Sequence, residues 1–258
     1  MRLIIRFKEG NILLPVNYHY QVQGWIYSLL PDDGYARFLH ETGYQTENRK
    51  YKLFVFSDLL GEYEISGKTI LFKKEITLQI GSQSKEFIQH VYQTLLRNPK
   101  AQIAGQILEI ESLQIEDLPY FPGEREFLIR TISPVTAYTT RDKYVEYFEP
   151  GAVKFNECCQ NNLASKASAY QLSFIPNLKI EELIWKKKRL IRFKKTFYVA
   201  YNASFRIRAD YLTLQLLWNT GLSAKSSAGF GMISIQKRKP ASTDLSNTNH
   251  QADGEDDG

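Results

Sequence analysis

The order in which apolar periodicities follow one another along the first 115 residues limits the fold more than any other feature. Residues 2–8 alternate as a strand, with Leu3, Ile5 and Phe7 on one face and Arg2 and Arg6 on the other, although Ile4 breaks the pattern. After a turn around Gly10 and Pro15, residues 18–30 repeat at helical spacing through Val22, Trp25, Ile26, Leu29 and Leu30. Pro31 to Gly34 stop that helix, and Asp32 or Asp33 can cap a short second one through Phe38, Leu39 and His40. Lys52 opens a strongly apolar strand, 53–56, and further strands are expected at 62–65, 69–72 and 75–80. Ser82 or Ser84 can cap a helix over 85–97 whose apolar face is Phe87, Ile88, Val91, Leu95 and Leu96, with Asn98 and Pro99 ending it. A strand at 106–115 closes a β-α-β-β-α-β order, which is the ferredoxin-like arrangement.

The same rhythm restarts after a linker at 116–124 that holds Pro119, Pro122 and Gly123. Strands are expected at 127–132, 135–139 and 143–148, then a helix over roughly 150–170, strands at 179–185, 190–193 and 197–209, a helix at 210–219 and a final strand at 232–236. The economical reading is α+β, two tandem ferredoxin-like (RRM-like) domains over 1–118 and 124–239, although no sequence repeat is visible between them. Residues 240–258 are rich in Ser, Thr, Asn and Asp, and Leu245 is their single sizeable apolar side chain, so they are expected to form a disordered acidic tail.

Charge narrows the class of partner. The formal charge of +5 includes five acidic residues in 240–258, where there is no Lys or Arg, so residues 1–239 carry +10. A body this basic, with 16 Tyr and 15 Phe, favours a polyanionic partner such as nucleic acid. Charge alone does not separate RNA from DNA or an anionic membrane. The two cysteines are the neighbours Cys158 and Cys159, too close for an ordinary disulfide and without metal-site spacing, and are expected to be buried or partly buried. The chain start reaches Lys8 and Glu9 too soon for a signal-peptide core, and no apolar run approaches the about 18 residues of a membrane span, so a cytoplasmic protein is expected.

Between the last helix and the last strand lies a stretch of glycine, serine and lysine, residues 221–231. Glycine backbones reach positive φ and approach anions closely, and Lys225 adds a point charge, so the stretch suits a phosphate cradle; a simple turn before an edge strand has the same composition. Upstream, Lys186, Lys187, Lys188 and Arg189 are followed by Arg192, Lys194 and Lys195. A run of this kind is either a solvated edge that discourages aggregation or one wall of a basic cleft. In residues 197–208, Phe197, Val199, Tyr201, Phe205 and Ile207 alternate with Asn202, Ser204, Arg206 and Arg208, and a basic strand beside a Gly/Ser/Lys loop favours the cleft. The histidines His19, His40, His90 and His250 include no i, i+4 metal pair, no Asp/Glu pair has the arrangement of a Mg²⁺ site, and there is no Walker-type phosphate loop; neither a metal nor another cofactor is expected. Acid–base cleavage of RNA needs neither, because the RNA's own 2′-OH can attack the neighbouring phosphate given a base, an acid and a cation.

At this point the residues resemble the CRISPR-associated endoribonucleases that cut precursor CRISPR RNA within its repeats, in the repeat-associated mysterious protein (RAMP) superfamily. Gly221-Leu222-Ser223, five residues, then Gly229-Phe230-Gly231 follow that family's glycine-rich C-terminal motif, with Ser223 in place of its second glycine. Leu14 to Tyr18 running into Gln23 to Tyr27 is similar to the family's first helix, and Phe38 to Glu41 followed by Lys52 to Phe54 is similar to the region of its catalytic histidine. The resemblance implies tandem ferredoxin-like domains and metal-independent cleavage that leaves 2′,3′-cyclic phosphate and 5′-OH ends, supplying guide RNAs for antiviral defence. It implies a catalytic trio of Tyr27, His40 and Lys52: Tyr27 as base or orienter of the 2′-OH, His40 as acid on the 5′-oxygen, Lys52 on the phosphorane charge. His19 is the rival acid–base residue. RNA would be held by Lys186, Lys187, Lys188, Arg189, Arg192, Lys194, Arg206 and Arg208 and by Gly221, Lys225, Ser226, Ser227, Gly229 and Gly231. Implied partners are repeat RNA, with effector-complex proteins and a second copy of the chain as further candidates. Two alternatives remain: a non-catalytic RNA-binding subunit of an effector complex, or a nucleic-acid-binding protein outside CRISPR systems.

Overall fold

The structure, a computed structural model, describes residues 1–31, 44–46, 49–52, 54–142 and 144–236. The expected helix through His40 and the tail 240–258 lie outside the described residues. In chain order the elements are β1 (Arg2–Phe7), β2 (Ile12–Pro15), α1 (His19–Ser28), β3 (Tyr44–Thr46), β4 (Arg49–Tyr51), β5 (Phe54–Phe56), β6 (Tyr63–Ser66), β7 (Thr69–Phe72), β8 (Ile76–Ser82), α2 (Lys85–Arg97), β9 (Lys100–Ile103) and β10 (Gln106–Glu116). There follow β11 (Arg125–Thr131), β12 (Ala137–Arg141), β13 (Tyr144–Phe148), α3 (Val153–Ala169), β14 (Lys179–Phe193), β15 (Thr196–Ala209), α4 (Tyr211–Thr220) and β16 (Ile233–Ile235).

The first sheet runs β5-β8-β1-β10-β9, all neighbours antiparallel, and the second runs β14-β15-β11-β16. Stripped of the added β9, both sheets have the strand order 2-3-1-4 with one helix after the first strand and one after the third, so the ferredoxin-like topology occurs twice. Each sheet has its own core. Leu3, Ile5 and Phe7 meet Val22 and Ile26 of α1 and Phe87, Val91 and Leu95 of α2, while Ile129, Phe205 and Ile207 meet Phe155, Leu163 and Leu217. Ser84 caps α2, accepting from the Phe87 N–H at 3.1 Å, as its position before the apolar face predicts.

Three elements differ from the sequence expectation for identifiable reasons. The strand β9 was not expected because only Ala101 and Ile103 of Lys100–Ile103 are apolar; it forms because Ala104 and Gly105, both at positive φ, turn the chain back onto β10. Residues 179–185 and 190–193 were expected as two strands, but β14 is continuous. The polar run 186–189 pairs residue for residue with Ala203 back to Ala200 in β15, on a hairpin long enough to leave Lys186, Lys187 and Lys188 in solvent. The turn expected around Pro15 instead contains β2, which joins β7 and β6 in a small separate sheet. Cys159 is buried and Cys158 partly so. Among the described residues no helix is long and apolar enough to cross a membrane.

The two sheets are held together by polar as well as apolar contacts. Arg2 is fully buried in the first sheet, stacks 3.3 Å over Trp218 of α4 and donates from Nη2 (2.7 Å) and Nε (3.2 Å) to the Trp218 carbonyl. The N-terminal ammonium donates to Asn219 Oδ1 at 2.6 Å, and Asp58 N–H donates to the Ile132 carbonyl at 2.9 Å.

Candidate active site and nucleic-acid interface

The glycine-rich stretch leaves α4, whose N-terminus is capped by Asp210 accepting from the Thr213 N–H at 2.7 Å. Gly221 ends the helix at φ +78°, and the stretch folds back so that the Leu222 N–H donates to the Gly231 carbonyl at 2.7 Å and the Gly231 N–H to the Pro134 carbonyl at 3.0 Å. Residues 221, 223, 225, 229 and 231 all hold positive φ. At Gly229 only glycine fits: a Cβ would lie 2.6 Å from His19 Cδ2 and 2.6 Å from Phe56 Cε2, both in the first domain. Ser223, which replaces a motif glycine, adopts the left-handed conformation at φ +64°, at a cost of about 1–2 kcal/mol. The loop is therefore less a turn before an edge strand than a wedge between domains, fastened by Gln23 Nε2 of α1 donating to the Ser227 carbonyl at 2.6 Å.

Beneath the loop lies Lys166 of α3, 4 % exposed, whose Nζ lies 2.9 Å from the Thr220 carbonyl, 2.7 Å from that of Gly221, 3.0 Å from that of Ser223 and 3.1 Å from Ser226 Oγ. Burial pulls this amine down to about 7, with the neighbouring Cys159 thiol opposing. Lys166 was missed in the sequence. The signal was present: it lies on the buried stripe of α3 with Phe155, Cys159, Leu163 and Ala167, where an unpaired lysine is rare.

Loop and helix together form one side of a 540 Å³ cleft whose other side comes from the first domain through Tyr51 and Lys52. Tyr138, Asn162, Lys166 and Lys225 also line it, and among the described residues no carboxylate does. Lys225 is exposed at the cleft, 5.6 Å from the Tyr198 ring centre; the partial burial of its amine lowers it, but the charge interaction with the Tyr138 and Tyr198 oxygens, and then the hydrogen bonds it donates to them, outweigh that and hold it above the ordinary lysine range. Lys52 Nζ lies 5.3 Å from the Tyr27 ring centre, so this expected pair is brought together. Burial and then the Lys194 charge lower the Lys52 amine, and burial pushes the Tyr27 hydroxyl well above the ordinary phenol range. Tyr27 itself is fixed edge-on against Phe54 at 5.5 Å. His40 lies outside the described residues.

His19 is placed elsewhere. It is 2 % exposed, with Nε2 2.7 Å from Asp58 Oδ1, and it lies between Tyr18 (4.8 Å) and Phe230 (6.3 Å), lining a second hollow of 390 Å³ with Arg130, Arg189 and Asn202. Its position supports the loop through Gly229 and does not join Tyr27 and Lys52. The hairpin β14–β15 reaches back over α1: Phe193 meets Tyr20 edge-on at 5.7 Å, and Lys194 lies 4.9 Å from the same ring centre. Lys187 and Lys188 are exposed along the hairpin, Lys186 pairs with Glu149 at 2.9 Å, and Arg192 lies 5.9 Å from the Phe197 ring. Arg206 and Arg208 stand away from the lysine-lined cleft, the first paired to Glu126 (3.0 Å) and Glu182 (2.9 Å), the second to Glu181 (2.7 Å).

The chain is similar to known proteins along most of its length. The family described as CRISPR associated protein Cas6, C-terminal, matches residues 115–235. The chain is 28 % identical to the CRISPR-associated endoribonuclease Cas6 1 of Methanocaldococcus jannaschii over 251 residues, covering 90 % of this chain and 92 % of that protein. It is 24 % identical to the CRISPR-associated endoribonuclease Cas6 of Pyrococcus furiosus over 246 residues, covering 93 % and 90 %. Among solved structures, one described as CRISPR associated protein Cas6 shares the fold at a TM-score of 0.75 and 24 % identity, over 92 % of this chain and 99 % of that one. Residues 115–235 thus match the C-terminal model of the Cas6 family, and over nine-tenths of its length the chain is similar to proteins named CRISPR-associated endoribonuclease Cas6.

Proposed function

We propose that this chain is an endoribonuclease that cuts CRISPR repeat RNA in precursor transcripts without a metal ion, at the Lys52 side of the lysine-lined cleft. The observation that carries the reading is the cleft itself: it holds no carboxylate among its described lining residues, and Lys52, set against Tyr27 on one side, shares it with Lys225 and the glycine-rich loop on the other. A phosphodiester entering there meets cations and backbone and no competing anion. The relatives named above are endoribonucleases, and a structural neighbour is a Cas6 product complex.

In the reaction, the RNA 2′-oxygen loses its proton and bonds to the adjacent phosphorus, the P–O5′ bond breaks, and the 5′-oxygen gains a proton, leaving 2′,3′-cyclic phosphate and 5′-OH ends. Lys52 offsets the charge that builds on the phosphorane. Tyr27, whose hydroxyl is buried, does not serve as a phenolate base; it acts through its ring, which positions the Lys52 amine. His40 is the proposed acid, by its match to the family's histidine region. Lys225, Ser226, Ser227 and the exposed lysines of the β14–β15 hairpin hold the RNA. Effector-complex proteins and a second copy of the chain are partners this reading admits.

The test is cleavage of labelled cognate repeat RNA in EDTA by wild type, Lys52→Ala and His40→Ala, beside an RNA with a single 2′-deoxy just upstream of the cut. Cutting that survives EDTA, vanishes in the deoxy RNA and falls by about 10²-fold or more in both variants is the expected result. Tight binding without cutting by wild type would instead identify a non-catalytic RNA-binding subunit.

A further inference from the structure

Lys166 has no part in the chemistry above, yet it is the one buried lysine among the described residues and lies against the loop that carries Lys225. Its four acceptors belong to residues 220, 221, 223 and 226, so they bracket Lys225 on both sides in sequence. Ser223 and Lys225 are non-glycine residues at φ +64° and +63°, conformations an unsupported segment leaves readily. A protonated amine has three N–H groups, which match the three converging carbonyls. Without it those carbonyls would face each other unmet, and the segment would relax and carry Lys225 away from Tyr138 and Tyr198.

We propose that Lys166 is a positioning residue: it clamps the turn from Thr220 to Ser226 so that Lys225 is held in the cleft where an RNA phosphate binds. This rests on the reading that Lys225 contacts RNA, and it assigns Lys166 a role exerted wholly through Lys225. Lys166 borders the cleft, but its Nζ is directed at those four protein acceptors and not at a phosphate.

The experiment is a double-variant cycle on affinity for the chain's cognate repeat RNA, made uncleavable by one 2′-deoxy at the cut, for wild type, Lys166→Met, Lys225→Ala and the pair, at two salt concentrations. Each single variant is expected to lose about tenfold in affinity and to lower the salt slope by about one, while the pair loses no more than Lys225→Ala alone. A role confined to folding would not give this non-additivity or this change in salt slope. Wild-type affinity in a folded Lys166→Met, or losses that multiply in the pair, overturns the clamp. Wild-type affinity in Lys225→Ala overturns the underlying RNA reading and the clamp with it. Should Lys166→Met fail to fold by circular dichroism, Lys166→Gln takes its place in the same cycle, and failure of both to fold overturns the proposal by making Lys166 part of the fold alone.

Discussion

Tyr27 and Lys52 share one contact, and burial moves their proton affinities in opposite directions. It raises the tyrosine well above the ordinary phenol range and lowers the lysine, each toward its neutral form. A tyrosine that stays neutral through pH 9 contributes no limb to a pH–rate profile. Tyr27→Phe, which keeps the ring beside Lys52, is therefore expected to cut within about threefold of wild type with a profile of unchanged shape between pH 6 and 9; a larger loss, or disappearance of an alkaline limb in the variant, would give the hydroxyl a part in the chemistry. Tyr27 and Lys52 were candidates from the sequence because they lie next to residues matching a family pattern, and the structure sets the two side by side. Lys166 matches no family pattern, and its burial was signalled only by its place on the apolar stripe of Phe155, Cys159, Leu163 and Ala167. The glutamates facing Arg206 and Arg208 were invisible for another reason: Glu126 lies 80 residues from Arg206 in sequence, and only the pairing of β11 with β15 brings them together.

Among the elements, the β14–β15 hairpin carries most of the expected RNA-binding charge, and its two ends differ. Near the sheet, Arg206 and Arg208 have glutamate partners within 3.0 Å, whereas toward the tip Lys187 and Lys188 are exposed and Lys194 lies over Tyr20. A cation already compensated by carboxylates offers a phosphate little net attraction. Arg206→Gln is thus expected to leave repeat-RNA affinity within about threefold of wild type, and Lys187→Ala with Lys188→Ala to weaken it by more and to flatten the salt dependence; the reverse order would move the RNA path to the sheet end. The hairpin also marks where strand prediction stops being local. Polarity at 186–189 signals a break only if a strand needs a buried face, and pairing alone sustains this one. Conversely, β1, α1, β8 and α2 were legible because each buries one regular apolar stripe.

At the scale of the molecule, the polar bridge from Arg2 to Trp218 joins the central strand of one sheet to the last helix of the other. Burial lowers the Arg2 guanidinium, with the Glu116 charge opposing, and its contacts with the Trp218 ring and carbonyl compensate for lost hydration. Wild type is expected to unfold in urea as one transition by fluorescence and circular dichroism. Arg2→Ala, which strips the bridge from both sides, should lower the midpoint by an amount equivalent to about 3 kcal/mol and separate the two curves; coincident curves would show that the sheets stay coupled without it.

The hairpin tip that rests on Tyr20 has a consequence for recombination between relatives. The second ferredoxin-like unit does not end at its own surface: Phe193, Lys194 and Gly229 are fitted to Tyr20, His19 and Phe56 of the first. A chimera that exchanges residues 125–236 for those of a Cas6 relative would carry a foreign hairpin tip and loop onto a native helix. To splice cleanly, such an exchange has to take the matching face of α1 along with it, so the unit that can be exchanged is the second sheet and its helices plus one helical face of the first.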